Sequence, residues 1–447
     1  MYMNIITHYN RFKNSSVYLS FLLAFTQSII ALIFIGIDFF FSKGLSVKDF
    51  GVWKQLMFVV NLIIPILSFG IAEGYKYYLA KDGKKIQTFA NTFYLYFSIT
   101  ILFFAVVLLV NILGFFGFLQ LKQYYFLSFL FPIAYFAFVI NKTLRYAYIN
   151  DAKILLHSKI TTFCFAFTSV LLLASYLTFN RIIVYHLYIG ICLYIVTFIT
   201  PIFFLIYKGK YILTNRWFSK EFCIKVLKQG LPIYIATFIG TLTLNTSMLI
   251  VNTFEDIETF AIFSVGALEV PVFAMLSAAF SQKIYPELVR LVSSGEKEKA
   301  KKLWMKTTLQ VSYITYPLII LLMFFAKDII FMVYSPKYED AVFLFKTYLL
   351  IGIFRNNYYG AIITASGQAK YITFYALCML VLNAILSLVL YYFLGVSGVV
   401  FGTLAATILI QFLQLNHEKL VLPYIQKFLF NPKIIFLIIL IFVAYFF

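Results

Sequence analysis

The sequence predicts an all-α polytopic membrane protein made of two six-helix halves. Three observations carry that prediction. First, only 12% of the 447 residues are charged and 63% are hydrophobic, against about 25% charged in soluble domains. Second, apolar runs of roughly 20 residues, the length that crosses a bilayer core, recur along the whole chain. Third, the pattern repeats. A shift of 210 residues lays VKDFGVWKQ from Val47 over IETFAIFSV from Ile257, with Phe50 on Phe260 and Val52 on Ile262. Further on, at a shift of 217, NDAK at 150–153 lies over GQAK at 367–370. Six spans per half is an even number, so both halves start from the same side of the membrane. That gives a parallel repeat with a pseudo-two-fold along the membrane normal, around a central cavity.

Taken in order, the spans of the first half fall near 16–41, 52–72, 87–113, 123–148, 155–178 and 182–207. Those of the second fall near 231–252, 258–283, 306–334, 341–366, 370–393 and 396–416. A last apolar segment, 433–447, is short for a full crossing. The expected division is 1–207 as the first bundle, 208–230 as a cytoplasmic junction, 231–416 as the second bundle and 417–447 as a tail. The junction is basic and partly amphipathic. It reads as ending at a Gly230–Pro232 break, and an acidic patch, Glu255, Asp256 and Glu258, closes the span that follows.

Charge sets the orientation. With the N-terminus in the cytoplasm, 27 of the 36 Lys and Arg fall on the cytoplasmic side and seven outside; Lys346 and Arg355 lie within a span. This is the positive-inside pattern, and it accounts for most of the net charge of +19. No soluble basic module is present, which excludes nucleic-acid binding. Cys164, Cys192 and Cys378 sit in apolar runs and Cys223 in the junction, at no metal or redox spacing. His8, His157, His186 and His417 are scattered, so no metal centre and no cofactor are expected. The first apolar run is too long for a signal-peptide core and lacks a small-residue cleavage site, so it is expected to be a retained helix. The external loops are short and no phosphate-binding G-x-x-x-x-G-K-[ST] occurs. A membrane polymerase or glycosyltransferase would need a larger external loop for its acceptor and its catalytic carboxylates, so the chain is not expected to be an enzyme.

Candidate site residues come from polar groups in apolar spans. Thr237, Thr241, Asn245, Met248 and Asn252 share one helical face. Shifted by 210, the first four become Gln27, Ala31, Ile35 and Asp38. Such stripes serve either helix packing or a central cavity. Arg355 lies inside the tenth span, with Tyr348, Gly352 and Tyr359 on its face. A guanidinium suits phosphate oxygens and tyrosines suit sugar faces; the competing role is a structural partner for Glu269. Glu269, two residues before Pro271, reads either as an ion-coupling acid or as a packed acid. Asp38 reads either as a coupling acid or as a solvated helix end. Lys142 and Arg145 close the fourth span, either against a diphosphate headgroup or snorkelling to anionic lipid.

With these residues in place, the chain resembles a family. D-F-G-V-W opening the second span, S-F-G-I-A-E-G-Y-K-Y-Y-L-A-K-D closing it and K-Q-G-L-P-I-Y opening the seventh resemble polysaccharide (O-antigen type) flippases of the multidrug/oligosaccharidyl-lipid/polysaccharide exporter superfamily. The resemblance implies an alternating-access transporter in the bacterial cytoplasmic membrane. It would move an undecaprenyl-diphosphate-linked oligosaccharide to the outer leaflet, in contact with membrane lipids and with polymerase and chain-length proteins of the same pathway. Arg355, Tyr348, Tyr359, Asn245, Thr241 and Gln27 would then contact substrate, and Asp38 and Glu269 would couple ions. A drug or small-cation exporter of the same superfamily is the alternative, and a membrane-embedded polymerase or glycosyltransferase the alternative from another class.

Overall fold

The computed structural model describes residues 35–82, 85–113, 128–151, 153–178, 218–268, 284–355, 360–368, 370–421 and 431–446, with isolated residues elsewhere. All regular structure among them is helical. Among the described residues, seven helices are long and apolar enough to cross a membrane, and 257–266, 341–354 and 432–446 are shorter apolar helices. The expected spans 16–41 and 182–207 lie largely outside the described residues, as does most of 258–283 beyond Leu268. The chain divides into two compact units, 1–241 and 242–447.

The first unit holds α1 (Val47–Ile66), α2 (Ile71–Asp82), α3 (Lys85–Ile112), α4 (Phe131–Asn150), α5 (Ile154–Thr178) and the start of α6 (Lys220–Phe254). The sequence predicts one span over 52–72; the structure breaks it. Phe69 and Gly70 take φ of 46° and 69°, a left-handed stop that glycine permits. The break frees helix-end carbonyls that cannot stay unpaired in an apolar setting. Two tyrosine hydroxyls cap them: Tyr135 of α4 donates to Leu67 O at 2.9 Å, and Tyr234 of α6 donates to Ile66 O. The chain then restarts as α2, which buries Ile71, Ala72, Tyr75 and Leu79 against α3 and α4.

The Gly230–Pro232 break expected from the sequence does not form. α6 runs unbroken from Lys220 to Phe254. Gly230 is used for closeness rather than for turning. A Cβ built on it would stand 1.9 Å from Gly70 O, and one on Gly74 would stand 2.2 Å from Val226 O. Backbones pack directly here, and in lipid such contacts between small residues supply the association energy that water supplies elsewhere. The two stretches S-F-G-I-A-E-G and K-Q-G-L-P-I-Y therefore meet. The α6 start is fixed too: Ser219 N–H donates to Asn91 Oδ1 of α3 at 2.7 Å, and Cys223 is buried beside the same asparagine.

The second unit continues α6 into α7 (Ile257–Gly266), α8 (Lys297–Phe324), α9 (Ala326–Val333), α10 (Ala341–Arg355), α11 (Ala361–Ala365), α12 (Lys370–Leu394), α13 (Val396–Val421) and α14 (Pro432–Phe446). The expected span 306–334 divides at Phe325; within 341–366 the described helices are α10 and α11. The start of α7 repeats the start of α1. Ser46 Oγ accepts from Asp49 N–H at 3.1 Å, and Asp256 Oδ1 accepts from Thr259 N–H at 2.8 Å. Both are N-caps, and both are followed by a buried phenylalanine, Phe50 and Phe260. The capping N–H also holds the Asp256 carboxyl below its ordinary range. α12 and α13 form a tight antiparallel pair turned at Gly395, φ 61°. A Cβ on Gly402 would lie 2.4 Å from Ser387. The last apolar segment is a helix on this unit. α14 packs on α8 and α10, where Lys346 Nζ donates to Tyr445 O at 3.4 Å and Thr347 meets the Tyr445 hydroxyl at 3.0 Å.

Candidate functional site

The site forms where α6 crosses into the second unit. Pro232 starts an apolar stretch in which threonine and asparagine recur every third or fourth residue. The exposed threonines satisfy themselves: Thr237 Oγ1 donates to Ile233 O and Thr241 Oγ1 to Thr237 O, both at 3.0 Å. Asn245 and Met248, one and two turns on, line a cavity of about 280 Å³. The other lining residues are Thr243, Leu244 and Ser247 of α6, Ala267 after α7, Tyr348 of α10 and Thr403 of α13. Tyr348 is held edge-on to Phe263 of α7, ring centroids 6.1 Å apart.

One wall of the cavity is a buried polar network. Ser247 and Thr403 hydroxyls are 2.7 Å apart. Thr403 Oγ1 donates to Asn383 Oδ1 at 2.9 Å, and Ser387 Oγ does so at 3.0 Å. Asn383 Nδ2 donates back to Thr243 O at 3.3 Å. Asn383 and Ser387 are fully buried, and Thr403 and Ser247 nearly so. The network joins α6, α12 and α13 and leaves the cavity with neutral donors and acceptors. Among the described residues, none that lines it is acidic or basic. Among the described residues, no three His, Cys, Asp or Glu side chains converge as a metal site would need.

Of the residues singled out in sequence, Asn245 and Tyr348 are brought to this cavity. Thr241 shares their helix face but does not line it. Arg355 is the last residue of α10, two turns beyond Tyr348, and its side chain lies outside the described residues. Gln27, Tyr359 and Glu269 also lie outside them. Asp38 forms an ion pair with Lys54 of α1, each side chain 15% exposed. Lys142 pairs with Glu73 of α2 at 2.9 Å. The network residues Ser247, Asn383, Ser387 and Thr403 were not singled out. Asn383 and Ser387, four apart in an apolar span, were the available signal, but helix periodicity does not say which neighbour answers them.

No protein-family model and no curated protein matches the sequence. Solved structures do match. An inward-facing multidrug resistance MATE family transporter of the MOP superfamily superposes with a TM-score of 0.69 at 14% identity, over 92% of this chain and 99% of that one. The lipid II flippase MurJ, inward closed, gives 0.69 at 15% identity over 95% and 97%. A MOP superfamily transporter from Pyrococcus furiosus, described as having a binding pocket of reversed polarity, gives 0.59 at 13% over 91% and 95%. Over nearly its whole length, this chain has the all-helical, two-repeat fold of the MOP superfamily transporters.

Proposed function

We propose that the chain is a flippase that carries an undecaprenyl-diphosphate-linked oligosaccharide across the bacterial cytoplasmic membrane by alternating access. The observation that carries this reading is the cavity lining: hydroxyls, an amide and a tyrosine, with no charge among the described residues. Neutral donors and acceptors beside an aromatic ring suit sugar hydroxyls and sugar faces. A small cation would be better served by a carboxylate in its cavity. The lipid II flippase among the similar structures agrees with the reading. The multidrug transporters support the second reading, export of a drug or small cation by the same fold. In the flippase reading Arg355 and Tyr359 bind substrate from the end of α10 onward, and Gln27 and Thr241 line its path. Asp38 and Glu269 are the coupling acids, and polymerase and chain-length proteins receive the product.

Deleting the gene is expected to accumulate lipid-linked repeat units on the cytoplasmic face, and complementation to clear them. Asn245→Ala and Tyr348→Ala should complement poorly at normal membrane abundance, each losing about fivefold in transport for one hydrogen bond of roughly 1 kcal/mol. Repeat units already outside in the deletion strain, together with raised drug sensitivity, would transfer the assignment to the second reading.

The distribution of Lys and Arg supports a topology with the N-terminus and the 208–230 and 284–305 segments in the cytoplasm. Single cysteines at Ser293 and Glu258, both exposed, avoid the positive φ of Gly295 and the Asp256 cap of α7. In a chain freed of its native cysteines, an impermeant thiol reagent on intact cells should label Glu258→Cys and spare Ser293→Cys. The reverse pattern would invert the orientation.

A further inference from the structure

The helix break at 67–70 sets α2 against α4, and in doing so gathers charge. Glu73 and Lys76, three apart at the start of α2, face the last turns of α4, where Lys142, Arg145 and Tyr146 stand. Lys142 Nζ is 2.9 Å from Glu73 Oε1, the two side chains 30% and 17% exposed. Lys76 Nζ lies 5.5 Å from the Tyr146 ring centre, and Tyr146 itself lies beside Glu73 and Arg145. Arg145 is half-buried and makes no ion pair or hydrogen bond with the described residues. Its charge acts on Tyr146 and on the buried His157. Asp151, beyond the end of α4, lies by Tyr148 instead.

Lys142 thus pairs with the Glu73 carboxylate, and Lys76, three residues on along α2, and Arg145, three on along α4, flank the pair. The planar fork of a guanidinium matches two oxygens of one phosphate. Lys142 already holds an anionic oxygen, which shows that the geometry accepts one. We propose that Lys76, Lys142 and Arg145 form an anion site for a phosphate or diphosphate group, in which Glu73 is the internal competitor that the ligand displaces from Lys142. This site belongs to the first unit, and the cavity beside Tyr348 to the second. The identity of the ligand, the diphosphate of a lipid-linked substrate, rests on the flippase reading; the anion chemistry does not.

The test is a titration of the purified full-length protein, with no transport step. Farnesyl diphosphate, farnesol and inorganic pyrophosphate are the probes. Farnesyl diphosphate should bind and farnesol should not. Arg145→Gln should weaken binding about tenfold, the equivalent of one charge-assisted hydrogen bond. Arg145→Lys should recover part of it. Glu73→Gln should tighten binding severalfold, because the competing carboxylate is gone. That sign separates a site from a scaffold, since a merely structural Glu73–Lys142 pair would give weaker or unchanged binding. Farnesyl diphosphate binding more tightly than pyrophosphate assigns the site to a lipid-borne group; equal affinity assigns it to the free anion. If Arg145→Gln fails to fold, Arg145→Lys and Glu73→Gln decide. Equal binding of farnesol, or a Glu73→Gln protein with no gain, overturns the proposal. A failed transport assay beside a successful titration would remove the flippase reading and leave the anion site.

Discussion

Gly230→Val is expected to remove most of the protein from the membrane fraction. A Cβ there would meet Gly70 O at 1.9 Å and Gly74 N at 3.1 Å. Both are backbone atoms, and no rotamer relieves the clash. To make room, α6 must lift off the 67–74 segment. Lifting breaks the Tyr234 hydrogen bond to Ile66 O and leaves a helix-end carbonyl unpaired in an apolar setting. Overpacking by itself costs about 1–3 kcal/mol, and the lost carbonyl partner adds roughly 1–3 more. Gly240 is the control. It lies ten residues on in the same helix, and a Cβ there meets nothing within 4 Å. Gly240→Ala should be neutral or stabilising by up to about 1 kcal/mol through helix propensity. The measurement is membrane abundance together with Tm in detergent. Equal values for the two variants would show that α6 does not touch the 67–74 segment.

Asn383→Leu should lower stability by roughly 2–3 kcal/mol, because one amide serves three partners. Its Oδ1 accepts from Ser387 and Thr403, and its Nδ2 donates to Thr243 O. Leucine has about the same volume, so the loss is one of hydrogen bonding rather than of packing. Ser247→Ala removes only the 2.7 Å contact to Thr403 and should cost about 1 kcal/mol. Because Thr403 also lines the cavity, Asn383→Leu should disturb substrate binding even where the protein survives. A Tm for Asn383→Leu as high as that of the parent chain would mean that the network contributes no stability.

The apolar runs and the repeat were legible in the sequence because a bilayer leaves few choices. Backbone polar groups must pair within the segment, so a long apolar run becomes a helix. The N-cap motif at Ser46 and Asp256 was likewise local, which is why the 210-residue shift marked the same helix start twice. Asn245 and Tyr348 were legible as polar groups on apolar helices. The use made of glycine was not. In sequence Gly70 fell inside one continuous span and Gly230 at a break; in the structure Gly70 turns the chain and Gly230 lets two backbones touch. That difference depends on what stands opposite, which no local pattern encodes.

The sequence alone therefore determined the solvent, the helices and the doubling of the chain, since each follows from residue polarity counted along one dimension. Tertiary structure decided which polar groups meet. It joined Ser247 to Thr403 across 156 residues and Lys142 to Glu73 across 69. It also let Tyr135 and Tyr234 close a broken helix from two other helices. The physical reason is the same in each case. A buried hydrogen-bonding group must find a partner, but the partner is chosen by how the helices pack, and packing is a property of surfaces brought together in space.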